Sequence, residues 1–197
     1  MKHLKKREVL KTPEIISAFE DIDRIDFVRP EDRNYAYADV PLGIGYGQTI
    51  SQPFTVAFML EQLKPKKGHK ILDVGSGSGW TTALLAHIVG ESGTVVGMEI
   101  IPELVSFGRS NLQKYGFKNA TIEQATEGSV GKPDQKFDRI LVSAAAREMP
   151  QELILQLKPN GVLVIPVENS IFKVNKDSKG NITDQEFPGF AFVPLKP

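Results

Sequence analysis

The chain has 197 residues, enough for one domain with a full core, and its 41% hydrophobic and 24% charged residues are those of a globular protein. Lys plus Arg and Asp plus Glu each number 24, so no net charge favours nucleic acid, and no apolar run approaches the roughly 20 residues that span a bilayer. Cysteine is absent, which excludes disulfides, thiolate metal sites and a cysteine nucleophile. His3, His69 and His87 stand far apart without ligand spacing, so no metal is expected.

The basic start, residues 1–7, leads into no apolar segment of the signal-peptide kind, and the chain reads as cytoplasmic. Residues 1–40 are expected to be helical, with amphipathic runs around residues 9–10 and 14–25. A glycine-rich loop follows over residues 41–51. A helix over 54–63 carries Val56, Met59, Leu60 and Leu63 on one face. Beyond residue 68 strands and helices alternate. Strands are expected at 70–74, 94–98, 120–123, 137–142 and 161–166, and helices at 80–89, 102–115 and 151–157. This alternation predicts an α/β fold with a parallel sheet covered on both faces. Residues 170–174 and 190–193 read as two further strands, joined by a turn at 177–181, and suggest an antiparallel addition at the sheet edge. The whole chain, 1–197, is taken as one domain: a cap at 1–64 with an active-site loop at 43–53, a cofactor-binding core at 65–167, and C-terminal strands at 168–197.

The densest motif is Asp73-Val74-Gly75-Ser76-Gly77-Ser78-Gly79, placed between a strand and a helix. Glycine lets the backbone turn tightly and approach a ligand without a Cβ in the way. This is the setting of a nucleotide-type cofactor site. Asp73 at the head of the turn would repel a pyrophosphate. It would favour the ammonium and sulfonium of S-adenosylmethionine. Glu99, at the tip of the next strand, can accept hydrogen bonds from both ribose hydroxyls. The glycines also depart from G-x-G-x-x-G, since Trp80 stands where the third glycine belongs.

The second dense motif is Gly43-Ile44-Gly45-Tyr46-Gly47-Gln48-Thr49-Ile50-Ser51-Gln52-Pro53. Ser51, just before Pro53 and a helix, fits either a helix cap or a functional hydroxyl. Residues 45–53 together with 72–79 resemble the protein-L-isoaspartate O-methyltransferases. Matches continue at 36–42, 137–140, Ala144-Ala145-Ala146, 156–161 and 192–195, and so cover nearly all of the chain. The resemblance implies a Rossmann-like class I methyltransferase fold, with a seven-stranded, mostly parallel sheet whose last strand is antiparallel. It implies S-adenosylmethionine as methyl donor and S-adenosylhomocysteine as product. The substrates it implies are isoaspartyl, and less readily D-aspartyl, residues of damaged proteins, methylated on the free α-carboxylate so that repair through a succinimide can begin. It matches Ser51 to the active-site serine. It matches Gln48, Thr49, Ile50, Asp73, Gly75, Ser76, Gly77, Gly79, Glu99, Ile100, Glu127 and Gly128 to cofactor contacts. A monomer is expected.

Three departures stand out. Thr126-Glu127-Gly128 replaces the family's Gly-Asp-Gly, Arg147 follows the alanine run where proline is common, and the chain ends soon after Leu195, where relatives often continue into a helix. The cover there is thus either missing or built differently. Methyl transfer to a carboxylate needs no general base, so Ser51 is expected to orient the carboxylate rather than attack. The alternatives left open are a methyltransferase of this fold acting on another carboxylate, and a binding module that kept the fold.

Overall fold

The computed structural model describes Leu4 and residues 8–196. Pro13–Asp21 is a helix (α1), opened by a proline whose missing N–H would have had no helical partner. Two 3₁₀ turns follow, Arg24–Phe27 and Pro30–Tyr35. The helix expected over 14–25 therefore stops at Asp21. Asp23 accepts a hydrogen bond from the Ile25 N–H and starts a tighter turn instead. Residues 9–10 are not helical either; both N–H groups bond to the Leu4 carbonyl. Residues 1–3 and 5–7 of the expected N-terminal helix, His3 among them, lie outside the described residues.

The glycine-rich stretch is a hairpin rather than a loop. Leu42–Gly45 (β1) pairs antiparallel with Gln48–Ile50 (β2). Gly45 and Gly47 at its tip have φ of 95° and 71°, which glycine adopts without strain, and Tyr46 between them is left-handed at 56°. Helix α2, Pro53–Leu63, comes next and buries Val56, Met59, Leu60 and Leu63 as its spacing predicts.

The remaining elements alternate: β3 (Lys70–Val74), α3 (Trp80–Val89), β4 (Thr94–Glu99), α4 (Pro102–Gln113), β5 (Ala120–Gln124), β6 (Phe137–Val142), α5 (Gln151–Leu155), β7 (Leu157–Val167), β8 (Ser170–Lys176) and β9 (Ile182–Pro188). The seven strands β3 to β9 form one sheet in the order β5-β4-β3-β6-β7-β8-β9. Strands β3 to β7 are parallel, and β8 is antiparallel to both β7 and β9. One strand is thus reversed, but it is β8; the last strand, β9, runs with the parallel set. β9 also lies at Ile182–Pro188 and not at 190–193. Its polar side chains are almost all exposed, as suits an edge strand, so the hydrophobic signal falls on the apolar residues that follow.

Alternate strand residues feed two cores. Ile71 joins Val56, Leu60, Leu84 and Leu104 under α1 to α4. Leu72 and Val74 join Phe137, Ile140, Leu153 and Leu157 on the other face, covered by α5 and partly by residues such as Ala125, Val130 and Met149. The chain runs outward from β3 to β5 and then returns to β6 beside β3. The crevice at the carboxyl ends of β3 and β6 is therefore the topological switch point, where ligands of open α/β sheets bind.

Candidate active site

Gly75 and Ser76 donate their N–H groups to the Met98 carbonyl at 2.8 and 3.1 Å, which folds the glycine turn over the end of β4. Gly75 and Gly77 have φ of 74° and 52° and face the crevice, while Ser76, Ser78 and Gly79 are buried. A Cβ on Gly77 would stand 3.0 Å from the Ile44 side chain, and one on Gly75 would touch Ala144. The bare backbone of this turn thus forms one wall. Glu99 is almost wholly buried; its Oε2 accepts from the Gly77 N–H at 2.9 Å and its Oε1 from the Ile101 N–H at 3.0 Å. Each carboxylate oxygen keeps a second lone pair for a ligand hydroxyl. Ile44, Gln48, Thr49, Met98 and Ile100 continue the wall.

Asp73 sits beneath the turn, not beside the ligand space. It is fully buried, with Oδ2 accepting from the Thr82 and Thr81 hydroxyls at 2.6 and 2.7 Å. Its Oδ1 has no partner among the described residues. Burial pushes its pKa up to about 6; the two threonine hydroxyls oppose this and nearby Glu99 adds to it.

The far wall comes from the end of the chain. Phe190 stacks on Phe58 of α2 with ring centroids 5.1 Å apart, and the chain then runs back over the sheet tips. The Ala145 N–H donates to the Val193 carbonyl and the Leu195 N–H to the Ala145 carbonyl, both at 2.8 Å. Val193, Pro194 and Leu195 thereby close the crevice opposite Gly75.

A side pocket of about 270 Å³ adjoins the crevice and is lined by Pro41, Ser51, Gln52, Thr55, Ala191 and Phe192. Thr49, Ser143 and Val193 line both spaces and form the partition between them. A chamber of about 20 Å³, enough for a water, brings Ile50 and Ser51 against Ser76. Ser51 does not cap α2: the position before the helix is Gln52, without a side-chain cap, and the Phe54 N–H donates to Asp39 Oδ1 at 2.8 Å.

The comparisons with known proteins agree with this geometry. The family model described as protein-L-isoaspartate(D-aspartate) O-methyltransferase (PCMT) matches residues 1–197. The chain belongs to the PCMT family. It is 44% identical to the protein-L-isoaspartate O-methyltransferase of Methanococcoides burtonii over 92% of this chain and 91% of that one. The Methanopyrus kandleri protein of the same name is 41% identical over 99% and 88%. A Plasmodium falciparum chain assigned to the same enzymes, solved in complex with S-adenosyl-L-homocysteine, superposes with a TM-score of 0.88 at 28% identity, over 99% of this chain and 95% of that one.

Within this PCMT fold the residues expected from sequence divide into groups. Gln48, Thr49, Gly75, Gly77, Glu99 and Ile100 line the crevice, and Ser51 lines the side pocket. Ile50 and Ser76 meet in the chamber between them. Gly79 lines neither; with φ of 87° it opens α3, and a Cβ there would stand 3.1 Å from the Gly108 carbonyl. Glu127 and Gly128 are exposed and lie off the crevice. Ser129, Val130 and Gly131 of the same loop line it instead. The buried Gln156 amide holds this loop, accepting from the Lys132 N–H at 2.7 Å and donating to the Val130 carbonyl at 2.8 Å. Arg147 is exposed and borders neither space. Ser143, Ala144 and residues 193–195 are site walls that the motifs had not assigned; small side chains after β6 were the available signal.

Proposed function

We infer that this chain transfers a methyl group from S-adenosylmethionine to the α-carboxylate of L-isoaspartyl residues, and of D-aspartyl residues, in damaged proteins. The ester so formed opens the repair of the chain. Family membership supports the reaction. The observation that carries it is a pair of adjoining spaces that share Thr49, Ser143 and Val193 as wall residues. One is built for a nucleoside-like ligand and the other holds a serine hydroxyl.

When bound, S-adenosylmethionine supplies a methyl group on a positively charged sulfur. The protein fits such a group: positive-φ glycines admit it closely, and the buried Glu99 carboxylate lines the crevice, with Asp73 behind the glycine turn. Glu99 would hold the ribose hydroxyls, and Gly75, Gly77 and Ile100 would line the rest of its site. Gln48, Thr49 and Ile50 line the path to the side pocket. Ser51 donates its hydroxyl to the substrate carboxylate and aims one oxygen across the partition. No base is needed, because a carboxylate of this kind, with a pKa of roughly 3.3–3.7, is already ionised at neutral pH. Neither space is lined by a histidine among the described residues. Fixing the reacting oxygen in line can contribute about 7–11 kcal/mol. The enzyme acts as a monomer in the cytoplasm. No helix of the described residues is long and apolar enough to cross a membrane.

The test is tritiated methyl transfer to an isoaspartyl peptide and to its normal aspartyl twin. Label on the isoaspartyl peptide alone is expected. Equal labelling, or none with the donor bound, would refute the substrate assignment.

A further inference from the structure

Arg24 is only 4% exposed, and its two terminal guanidinium nitrogens donate to main chain from two segments, while Nε has no partner among the described residues. One terminal nitrogen donates to the Ala36 and Ala38 carbonyls at 2.8 and 3.3 Å. The other donates to the Val40 carbonyl at 2.9 Å and to the Ser51 carbonyl at 3.1 Å. The guanidinium also lies over the Trp80 ring, 5.4 Å from its centroid, and Trp80 opens the helix that follows the glycine turn. Burial lowers the Arg24 pKa to about 10, with Asp39 opposing the shift, so the group stays charged at neutral pH.

Asp39 belongs to the segment that Arg24 holds, and its carboxylate accepts from the Phe54 N–H. Residues 51–54 are therefore fixed at both ends: the Ser51 carbonyl by Arg24 and the Phe54 N–H by Asp39. Between them Ser51 lies outside regular structure, after β2 and before α2, where no ladder or helix bond sets its direction.

We propose that Arg24 and Asp39 form a two-point clamp that orients Ser51 for methyl transfer, with Arg24 acting as a positioning residue from outside both ligand spaces. This rests on Ser51 being the group that meets the substrate carboxylate. An arginine suits the task because its planar fork offers five donors at fixed angles; lysine offers three on a single point and cannot span the same carbonyls. A cavity of about 250 Å³ borders Arg24, so a smaller side chain meets no clash there.

The experiment uses the full chain with Arg24→Lys, Asp39→Ala, Asp39→Asn and Ser51→Ala. It reads kcat and KM for an isoaspartyl peptide, S-adenosylhomocysteine affinity by calorimetry, and thermal unfolding. Arg24→Lys should lower kcat about tenfold or more, since small misplacements near a reacting centre are costly, while cofactor affinity moves less than about threefold. Asp39→Ala should lose kcat in the same way, and Asp39→Asn, which keeps an acceptor for Phe54, should recover most of it. Because the clamp acts through Ser51, Arg24→Lys added to Ser51→Ala should cost less than about threefold more. Wild-type kcat in Arg24→Lys, a parallel fall of kcat and cofactor affinity, or full additivity with Ser51→Ala overturns the proposal. If Arg24→Lys does not fold, equal activities of Asp39→Ala and Asp39→Asn overturn it. If Ser51→Ala keeps full kcat, the role of Ser51 itself fails, whichever way the clamp variants behave.

Discussion

The two halves of the site are built in different ways. On the cofactor side, the glycine turn, Glu99 and Ile100 sit at the ends of adjacent parallel strands. Their positions follow from the β3–β4 register, which pairs Val74 with Met98, and from N–H groups that bond back to Met98 and Glu99. On the substrate side, Ser51, Pro41 and residues 191–193 belong to no strand of the sheet. They are placed by contacts with distant parts of the chain: the side chains of Arg24 and Asp39 on one flank, and Phe58 together with main-chain bonds to Ala145 on the other. A crevice held by a sheet tolerates little shape change but needs little support. A pocket held by a few side chains depends on each of them. That division suits the proposed reaction, in which one half receives the same ligand at every turnover and the other admits different peptides.

The comparison can be broken first at Glu99. Glu99→Ala leaves the Gly77 and Ile101 N–H groups without their acceptor and removes the proposed ribose contact. Cofactor affinity should fall by about a hundredfold or more, as expected for losing charge-assisted hydrogen bonds of roughly 1.5–3 kcal/mol each. Calorimetry with S-adenosylhomocysteine measures this, and an unchanged affinity would remove Glu99 from the cofactor site. Ser51→Ala should do the reverse, lowering kcat by about 10–100-fold for one hydrogen bond to a charged group, with cofactor affinity within about twofold. Because Asp39 and not Ser51 caps α2, a large loss of folding stability in this variant would contradict the structure.

A smaller effect is expected at Gly108. Alanine there is better for the helix by about 1 kcal/mol, but its Cβ would stand 2.9 Å from the Gly77 carbonyl and 2.7 Å from Ile122. Gly108→Ala should thus weaken cofactor binding by about tenfold through the displaced turn, despite the gain in propensity. Unaltered binding would mean that the turn is softer than the sheet that carries it.

The smallest effect is one of pH. Asp73 has a folded pKa of about 6, above the unfolded value near 3.9, so between those values the folded state holds a proton that the unfolded state has lost. Stability from this group therefore declines as pH rises through about 4 to 6 and stays low above that range. Asp73→Asn should raise the melting temperature by a few degrees at a pH of about 8 and give no gain near pH 3.5. Equal shifts at both pH values would mean that the carboxylate carries no such penalty.

Much of the crevice at the strand ends was legible in the sequence. The alternation of apolar strands with amphipathic helices gave the parallel core, and the glycines and Glu99 stood at the strand ends that β3 and β4 occupy. Regular elements write their periodicity into neighbouring residues, so local pattern is enough. The motifs were less informative where a side chain acts across the fold. Asp73 went under the turn because Thr81 and Thr82 offered it hydroxyls. The cap of α2 fell to Asp39, far away in sequence, and not to the adjacent Ser51. The wall at residues 193–195 formed because an exposed, polar β9 took the sheet edge and left the apolar end of the chain to be anchored by Phe58 and Ala145. By itself the sequence determined the alternating strands and helices from β3 to β7 and which turn bares its backbone to a ligand, since those depend on residues a few places apart. Only the tertiary structure decided which polar groups satisfy one another and which face the two spaces, because hydrogen bonds between distant segments exist only once the chain has folded.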